Sequence, residues 1–367
     1  MKMNNLKKSV AFIALSALLL ASCSSDDGGT DPVVANCSDG IMNQDETGVD
    51  CGGSSCNACI VAEVTDLEGA LTKDRTLLAT ETYALKGTFS VPSDITLTIP
   101  AGTTIIADVE TGEETSTYIV VQKGGKIDIQ GTASAPVIMT SANKTPGDWG
   151  GLVIAGDATT TEGVDAVAEV GQIIYGGTND TDNSGSISYL VIKYAGAQIN
   201  ADSQYNGLTL YAVGSGTTIG YVAIIDGQDD GVEFFGGTVS ASNLYIENNE
   251  DDAVDWTEGW NGTLTNTYIT HTKAGFSTAL EADGSNGNPT LTNFTAVSNQ
   301  GGTALQFKKT SGATFINISV TGYTTNVDMK DAGPVANVIV DANPLATTTD
   351  DVFSATPLDI STWTWFN

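Results

Sequence analysis

Five polar residues recur at near-regular spacing and carry the side chains most able to do chemistry. They are Glu233, Asp255, Glu281, Gln306 and Asp328, at steps of 22, 26, 25 and 22 residues. Each is the middle member of an apolar, polar, apolar triplet: Val232-Glu233-Phe234, Val254-Asp255-Trp256, Leu280-Glu281-Ala282, Leu305-Gln306-Phe307 and Val327-Asp328-Met329. In an extended strand the middle residue faces away from its two neighbours. Stacked at about 4.8 Å, the carboxylates of Glu233, Asp255 and Glu281 repel by roughly 1 kcal/mol per pair in water. A bound cation, a proton or hydration along an open face must relieve that repulsion. Asp229-Asp230 and Asp251-Asp252 precede the first two triplets and add four oxygen-ligand side chains suited to Ca2+.

Two kinds of chemistry fit this column. Glu233 with Asp255 could act as acid and base in glycoside hydrolysis. In a lyase, acids such as Asp255 and Glu281 would hold Ca2+ against a uronate while Lys308 or Lys330, from the neighbouring column Phe235, Thr257, Asp283, Lys308, Lys330, took the proton. A lyase base needs a depressed pKa, which stacked carboxylates oppose. The chain also holds one arginine, Arg75, and one histidine, His271, which is read as a turn residue. A non-catalytic reading fits better: a rigid face presenting Glu233, Asp255, Glu281 and an exposed Trp260 to a glycan or a surface protein, with Ca2+ assisting. Trp149 could also stack on a sugar ring, while alternation turns Trp256 inward. A third reading is a structural subunit of an outer-membrane assembly.

The elements that position the column form a repeat. A second strand recurs as Asn243-Leu244-Tyr245-Ile246, Asn266-Thr267-Tyr268-Ile269, Asn293-Phe294-Thr295-Ala296 and Asn317-Ile318-Ser319-Val320. Repeats of twenty-odd residues built from short strands indicate a solenoid whose coils pair only with their neighbours. The expected fold is all-β: a right-handed single-stranded parallel β-helix with a small N-terminal disulfide-rich module, the hand resting on the crossover preference. Val232, Val254, Leu280, Leu305 and Val327 would line the core with Phe234, Trp256, Ala282, Phe307 and Met329. The asparagines would turn the chain at the same place in each coil, their amides bonded up and down the column. Gly 41 against 9 Pro, with 16% charged residues, suits short strands and turns.

The chain carries 44 acidic and 14 basic residues, a net charge of −30. Such a surface repels nucleic acid and anionic lipid. Residues 1–22, with Lys2, Lys7 and Lys8 before an apolar run, read as a signal peptide ending at Leu20-Ala21-Ser22-Cys23. Residues 23–36 form a flexible acidic tether, and 37–59 a cysteine-rich module in which Cys37, Cys51, Cys56 and Cys59 form two disulfides of open pairing or a zinc site. Asp39, Asp45 and Asp50 in that module are an alternative Ca2+ site. Residues 60–81 are a linker and cap, with a short helix or cap between Val61 and Lys73. Residues 82–367 are the β-helix, its last coil closed by Trp363, Trp365 and Phe366.

Several motifs carry a resemblance: Leu97-Thr98-Ile99-Pro100-Ala101-Gly102-Thr103, Gly131 to Val137, Pro146-Gly147-Asp148-Trp149-Gly150-Gly151, Asp229 to Gly237 and Asp251 to Trp260. Together they resemble a family of Bacteroidetes surface lipoproteins with a pectate-lyase-like right-handed β-helix. The segment Leu20 to Cys23 resembles a lipobox, which implies cleavage before Cys23 and its lipidation. Ser24 to Gly29 resembles the signal that sends such lipoproteins to the outer face of the outer membrane. Hydrolases of this fold carry His and Arg-Lys elements that this chain lacks.

Overall fold

A computed structural model describes residues 37–38, 41–42, 45–46, 49, 51–57, 65–79, 81–109, 117–199 and 203–366. The expected leader, its lipidation site Cys23 and the tether lie outside these residues. Among the described residues no helix is long and apolar enough to cross a membrane. Two compact units divide near residue 62. In the first, Cys37 is disulfide-bonded to Cys56, and Cys51 is in a disulfide as well. The bonded thiols of Cys37 and Cys56 exclude the alternative zinc site. Cys59, Asp39 and Asp50 lie outside the described residues. Asp45 is engaged internally, accepting hydrogen bonds from the Ser54 backbone N–H and hydroxyl, both at 2.6 Å, which hold its carboxyl below its ordinary pKa.

The second unit is a parallel β-helix. Its strands join one 23-stranded sheet in which nearly every pairing is parallel and links one coil to the next. One stack holds Tyr118–Val121, Leu152–Ala155, Leu208–Tyr211, Val232–Phe235, Val254–Thr257, Thr278–Ala282, Thr303–Phe307 and Thr325–Met329. The inward columns fill the core as alternation requires: Val232, Phe234, Val254, Trp256, Leu280, Ala282, Leu305 and Phe307 are buried almost completely.

The other walls come from bent strands: Gly185–Lys193, Thr218–Ile225, Ser240–Glu247, Thr263–His271, Thr290–Ser298 and Ala313–Thr321. Each skips one residue in its register at a corner, and that residue takes a positive φ: Tyr189, Tyr221, Asn243, Asn266, Asn293 and Asn317. Asparagine tolerates this left-handed conformation better than most residues. The expected ladder forms, with Asn266 Nδ2 donating to Asn243 Oδ1 at 3.0 Å, Asn293 Nδ2 to Asn266 Oδ1 at 2.8 Å and Asn317 Nδ2 to Asn293 Oδ1 at 2.7 Å. In the two preceding coils stacked tyrosines, Tyr189 and Tyr221, with ring centroids 4.2 Å apart, take the asparagines' place.

Both ends differ from expectation. Asp66–Ala70 and Arg75–Thr76 are strands, pairing with Thr82–Val91 and Thr96–Pro100, so the sheet begins before residue 82 and no helix forms among the described residues there. A strand gives the backbone groups of Thr82–Val91 partners that a helix would leave unpaired, and Leu67 and Leu77 extend the core. At the far end Val338–Val340 pairs with Ala313–Thr321 and turns back to Asn343–Pro344, with Leu345 and Phe353 closing the core. Trp363, Trp365 and Phe366 do not close the last coil. They lie on the outside of the bent-strand wall, with Tyr189, Tyr221, Ala223, Tyr245 and Tyr268.

Candidate functional site

The outward column lies in the predicted register: Glu233 pairs with Asp255, Asp255 with Glu281, Glu281 with Gln306, and Gln306 with Asp328. Its two halves differ in how charge is met. Toward the C-terminus Lys308 contacts Glu281 Oε1 and Gln306 Nε2 donates to Glu281 Oε2. Lys309 lies 3.0 Å from Asp283 and Lys330 lies 2.7 Å from Asp328. Toward the N-terminus Asp229, Asp230, Glu233, Asp251, Asp252 and Asp255 have no ion pair among the described residues.

These six carboxyls converge through the turns. Asp230 and Asp252 lie in the turns that lead into successive strands of the stack, and both are buried, at 6% and 4% exposure. The Asp252 N–H donates to Asp230 Oδ1 at 2.8 Å, and the Thr278 hydroxyl donates to Asp252 Oδ1 at 2.6 Å. Ligand atoms of Asp230, Glu233 and Asp255 lie within 4.8 Å of one another, as do those of Asp229, Asp230 and Asp251. Asp252, expected among the ligands, is in neither set because Thr278 and the turn hold it.

Burial dominates the electrostatics. It raises the pKa of Asp230, Glu233 and Asp255 well above the ordinary carboxyl value, and the negative charges of neighbouring acids push the same way. Asp229 and Asp252 are pushed up to about 7 by burial, and then by Asp251 for Asp229 and by Glu281 for Asp252. One buried oxygen, Asp255 Oδ1, has no hydrogen-bond partner. Neither has Asn206 Oδ1, whose own Nδ2 donates to Glu233 Oε2 at 2.6 Å. Three crowded carboxyls, one of them with an orphaned oxygen, and the orphaned amide oxygen of Asn206 beside them are a donor set for a hard cation such as Ca2+, which takes six to eight oxygen ligands.

Burial pulls the Lys308 ammonium down, but the hydrogen bond and charge of Glu281, with Asp255 and Asp252 behind them, outweigh it, and its pKa ends raised. That is the wrong direction for a base. Glu281 is thus engaged by Lys308 and Gln306 instead of joining the Glu233 and Asp255 cluster.

The tryptophans are not a ligand platform. Trp260 is fully buried, donates from Nε1 to Val239 O at 3.0 Å and stacks on Phe234 at 4.2 Å. Trp149 is buried too, with Nε1 donating to Lys193 O at 2.9 Å. An indole in a tight turn gains more from the core than from water once its N–H has a backbone acceptor. His271 is not a turn residue: it ends a strand, 1% exposed, with Nδ1 2.8 Å from the Tyr323 hydroxyl and its ring stacked on Phe276. Burial lowers its pKa to about 4, so it stays neutral.

Sequence reasoning missed what covers the face next to the acids. Residues 156–184 leave the coil and return over the stack, carrying the antiparallel pair Ala166–Val167 and Ile174–Tyr175. With the stack's outer face they form a second apolar cluster of Tyr118, Val153, Val170, Tyr175, Tyr211 and Phe235. Phe235, at the head of the neighbouring outward column, is therefore covered and stacks on Tyr211 at 4.3 Å. Glu258 anchors the insertion from below, accepting from the Tyr175 hydroxyl at 2.8 Å and from the Thr160 hydroxyl. The legible signal was the gap in the repeat between Ala155 and Leu208, twice the usual step.

No curated protein and no solved structure matches this chain. A family profile described as a pectate-lyase-like beta helix domain matches residues 69–356. Stacked parallel coils and that match over most of the chain give the same answer: the chain belongs to the pectate-lyase-like β-helix family.

Proposed function

We propose that this chain is a non-catalytic binding module, anchored to the outer membrane by lipid on Cys23, facing the cell exterior and recognising a glycan or a surface protein with the help of Ca2+. The observation that carries the reading is the meeting of the Asp230, Glu233 and Asp255 carboxyls, with Asp255 Oδ1 and the adjacent Asn206 Oδ1 buried and lacking a hydrogen-bond partner. A Ca2+ ion there would take oxygens from all four residues and relieve a repulsion that the lysines relieve farther along the same column. The raised pKa of Lys308 and the single arginine weigh against a lyase acting on anionic glycans.

The test is thermal unfolding of the full chain with and without about 1–5 mM Ca2+, a span chosen to saturate even weak extracellular-type sites. The expected result is a Ca2+-dependent rise of several degrees that disappears in the Glu233→Gln/Asp255→Asn double variant. An unchanged rise in that variant moves the ion elsewhere, and no rise in the parent chain removes it. Retention on immobilised polysaccharides is followed in the same samples together with the release of new reducing ends. Retention without product supports the binding module.

One observation favours a second reading, a glycoside hydrolase. Ligand atoms of the Glu233 and Asp255 carboxyls lie within 4.8 Å of each other, a separation nearer that of retaining than of inverting enzymes. Product formation lost in the same double variant would establish it.

A further inference from the structure

The insertion and the stack form an open cavity of about 490 Å3 that none of the preceding chemistry uses. Its size falls in the roughly 300–1,000 Å3 range of small-molecule sites. Three aromatic rings make its floor and one wall: Tyr211 lies between Tyr175, at 4.8 Å, and Phe235, at 4.3 Å between ring centroids. The charged residues among its lining are all acids, Glu162, Asp165, Glu169 and Glu258. Lys123, from outside the lining, lies 2.8 Å from Asp165 and meets that charge. Glu169 stands exposed at the rim. Glu258 is set deeper, tied by Tyr175 and Thr160.

Tyr211 supplies the independent sign of a ligand. It is 2% exposed, yet its hydroxyl has no hydrogen-bond partner among the described residues and stands in the field of Glu233, Glu169 and Glu258. The ring is packed away while the hydroxyl is left open to the cavity, where it can bond a group that enters. Aromatic walls supply no ligands to a hard metal ion, and the acids repel an anion. Rings plus carboxylates suit an organic cation.

We propose that this cavity binds the primary ammonium group of a small organic ligand. Glu258 and Glu169 supply the counter-charge, the Tyr211 hydroxyl accepts a hydrogen bond from the ammonium, and the Tyr175, Tyr211 and Phe235 rings receive the apolar body. The same chemistry is offered by an amino sugar and by a lysine side chain. This site shares no lining residue with the Ca2+ cluster, although Glu233 of that cluster acts on Tyr211 through its charge, so ammonium binding and the Ca2+ response are read separately.

The test is isothermal titration of the full chain with glucosamine, Nα-acetyl-lysine methylamide, N-acetylglucosamine and glucuronate. The expected result is saturable binding of at least one ammonium compound, with none of the neutral N-acetylglucosamine or the anionic glucuronate. Tighter binding of glucosamine identifies a saccharide source, and tighter binding of the lysine amide identifies a protein side chain. Glu258→Gln should weaken binding about tenfold and Tyr211→Phe several-fold, while Asp230→Asn leaves it unchanged and removes the Ca2+ response. If Glu258→Gln fails to fold, the rim variant Glu169→Gln carries the test, with a loss of several-fold expected. No saturable binding of either ammonium compound, equal binding of N-acetylglucosamine, or full affinity in the charge-removing variants would overturn the proposal.

Discussion

Glu233 and Asp255 stand in direct register on adjacent parallel strands, and neither carboxyl has a cationic partner among the described residues. Asp230 reaches the same point from the preceding turn. Lysines settle the same column two and four coils on, at Glu281 and Asp328. The face is therefore graded, from carboxyls held as acids or by a cation to carboxylates held by ammonium groups.

That gradient sets a pH dependence. Asp229 and Asp252 have pKa values raised to about 7 in the folded chain, against about 3.9 when unfolded. Acids with raised folded values contribute stability that is complete below the unfolded value and is lost as pH rises through the folded one. His271 acts in the opposite sense: lowered to about 4, it contributes stability above about 6.5 that is lost as pH falls toward 4. Without Ca2+ the melting temperature should therefore fall between pH 6.5 and 8, where His271 no longer changes, by several degrees. Asp229→Asn/Asp252→Asn should flatten the slope, and scanning calorimetry across that range checks it. A flat profile in the parent chain would mean that the cluster is already neutralised.

The asparagine ladder should show two separable costs at Asn266. Asn266→Gly removes two side-chain hydrogen bonds, about 1 kcal/mol each, but keeps a residue at ease with φ 59°. Asn266→Ala loses the same bonds and adds left-handed strain of roughly 1–2 kcal/mol. Urea denaturation should place alanine below glycine and both below the parent. Equal midpoints for glycine and alanine would show that the corner relaxes out of the left-handed region.

The column and the ladder were legible because both are one-dimensional: a repeat of 22 to 26 residues and a two-residue alternation place Glu233 beside Asp255 and Asn243 beside Asn266 without knowledge of anything farther away. Trp260 was not legible, because its burial depends on Val239 O and the Phe234 ring being presented to it by a different coil. Asn206 escaped notice for a related reason. It lies just ahead of the strand Leu208–Tyr211, one coil before the first recognised triplet, where Thr209 takes the place of a carboxylate in the column. The Tyr211 cavity depends on residues 156–184 folding back over strands that come both before and after them, which no periodicity records.

The C-terminal tail gives the sharpest contrast between apolar composition and position, and it is testable. After Phe353 and Ala355, bonded along Ala313–Thr321, the Leu358 N–H reaches the Thr295 hydroxyl at 2.9 Å. Phe366 then stacks on Tyr245 at 3.8 Å, and Trp365 meets Tyr221 and Tyr189 edge-on. The tail thus runs back across successive coils as a strap, tied by few backbone bonds and mostly by rings. Local stability of such a segment follows its buried contacts and can fall below that of the helix beneath it. In Trp365→Ala/Phe366→Ala, limited proteolysis should clip the chain after Phe353 at a protease concentration that leaves the parent intact. The remaining β-helix should keep its cooperative melt within a few degrees, and binding of a hydrophobic dye should rise as Tyr189, Tyr221 and Tyr245 lose their cover. Collapse of the whole β-helix would instead make the strap an integral part of the core, and an uncut tail would show that the backbone bonds near Ser354, not the rings, hold it.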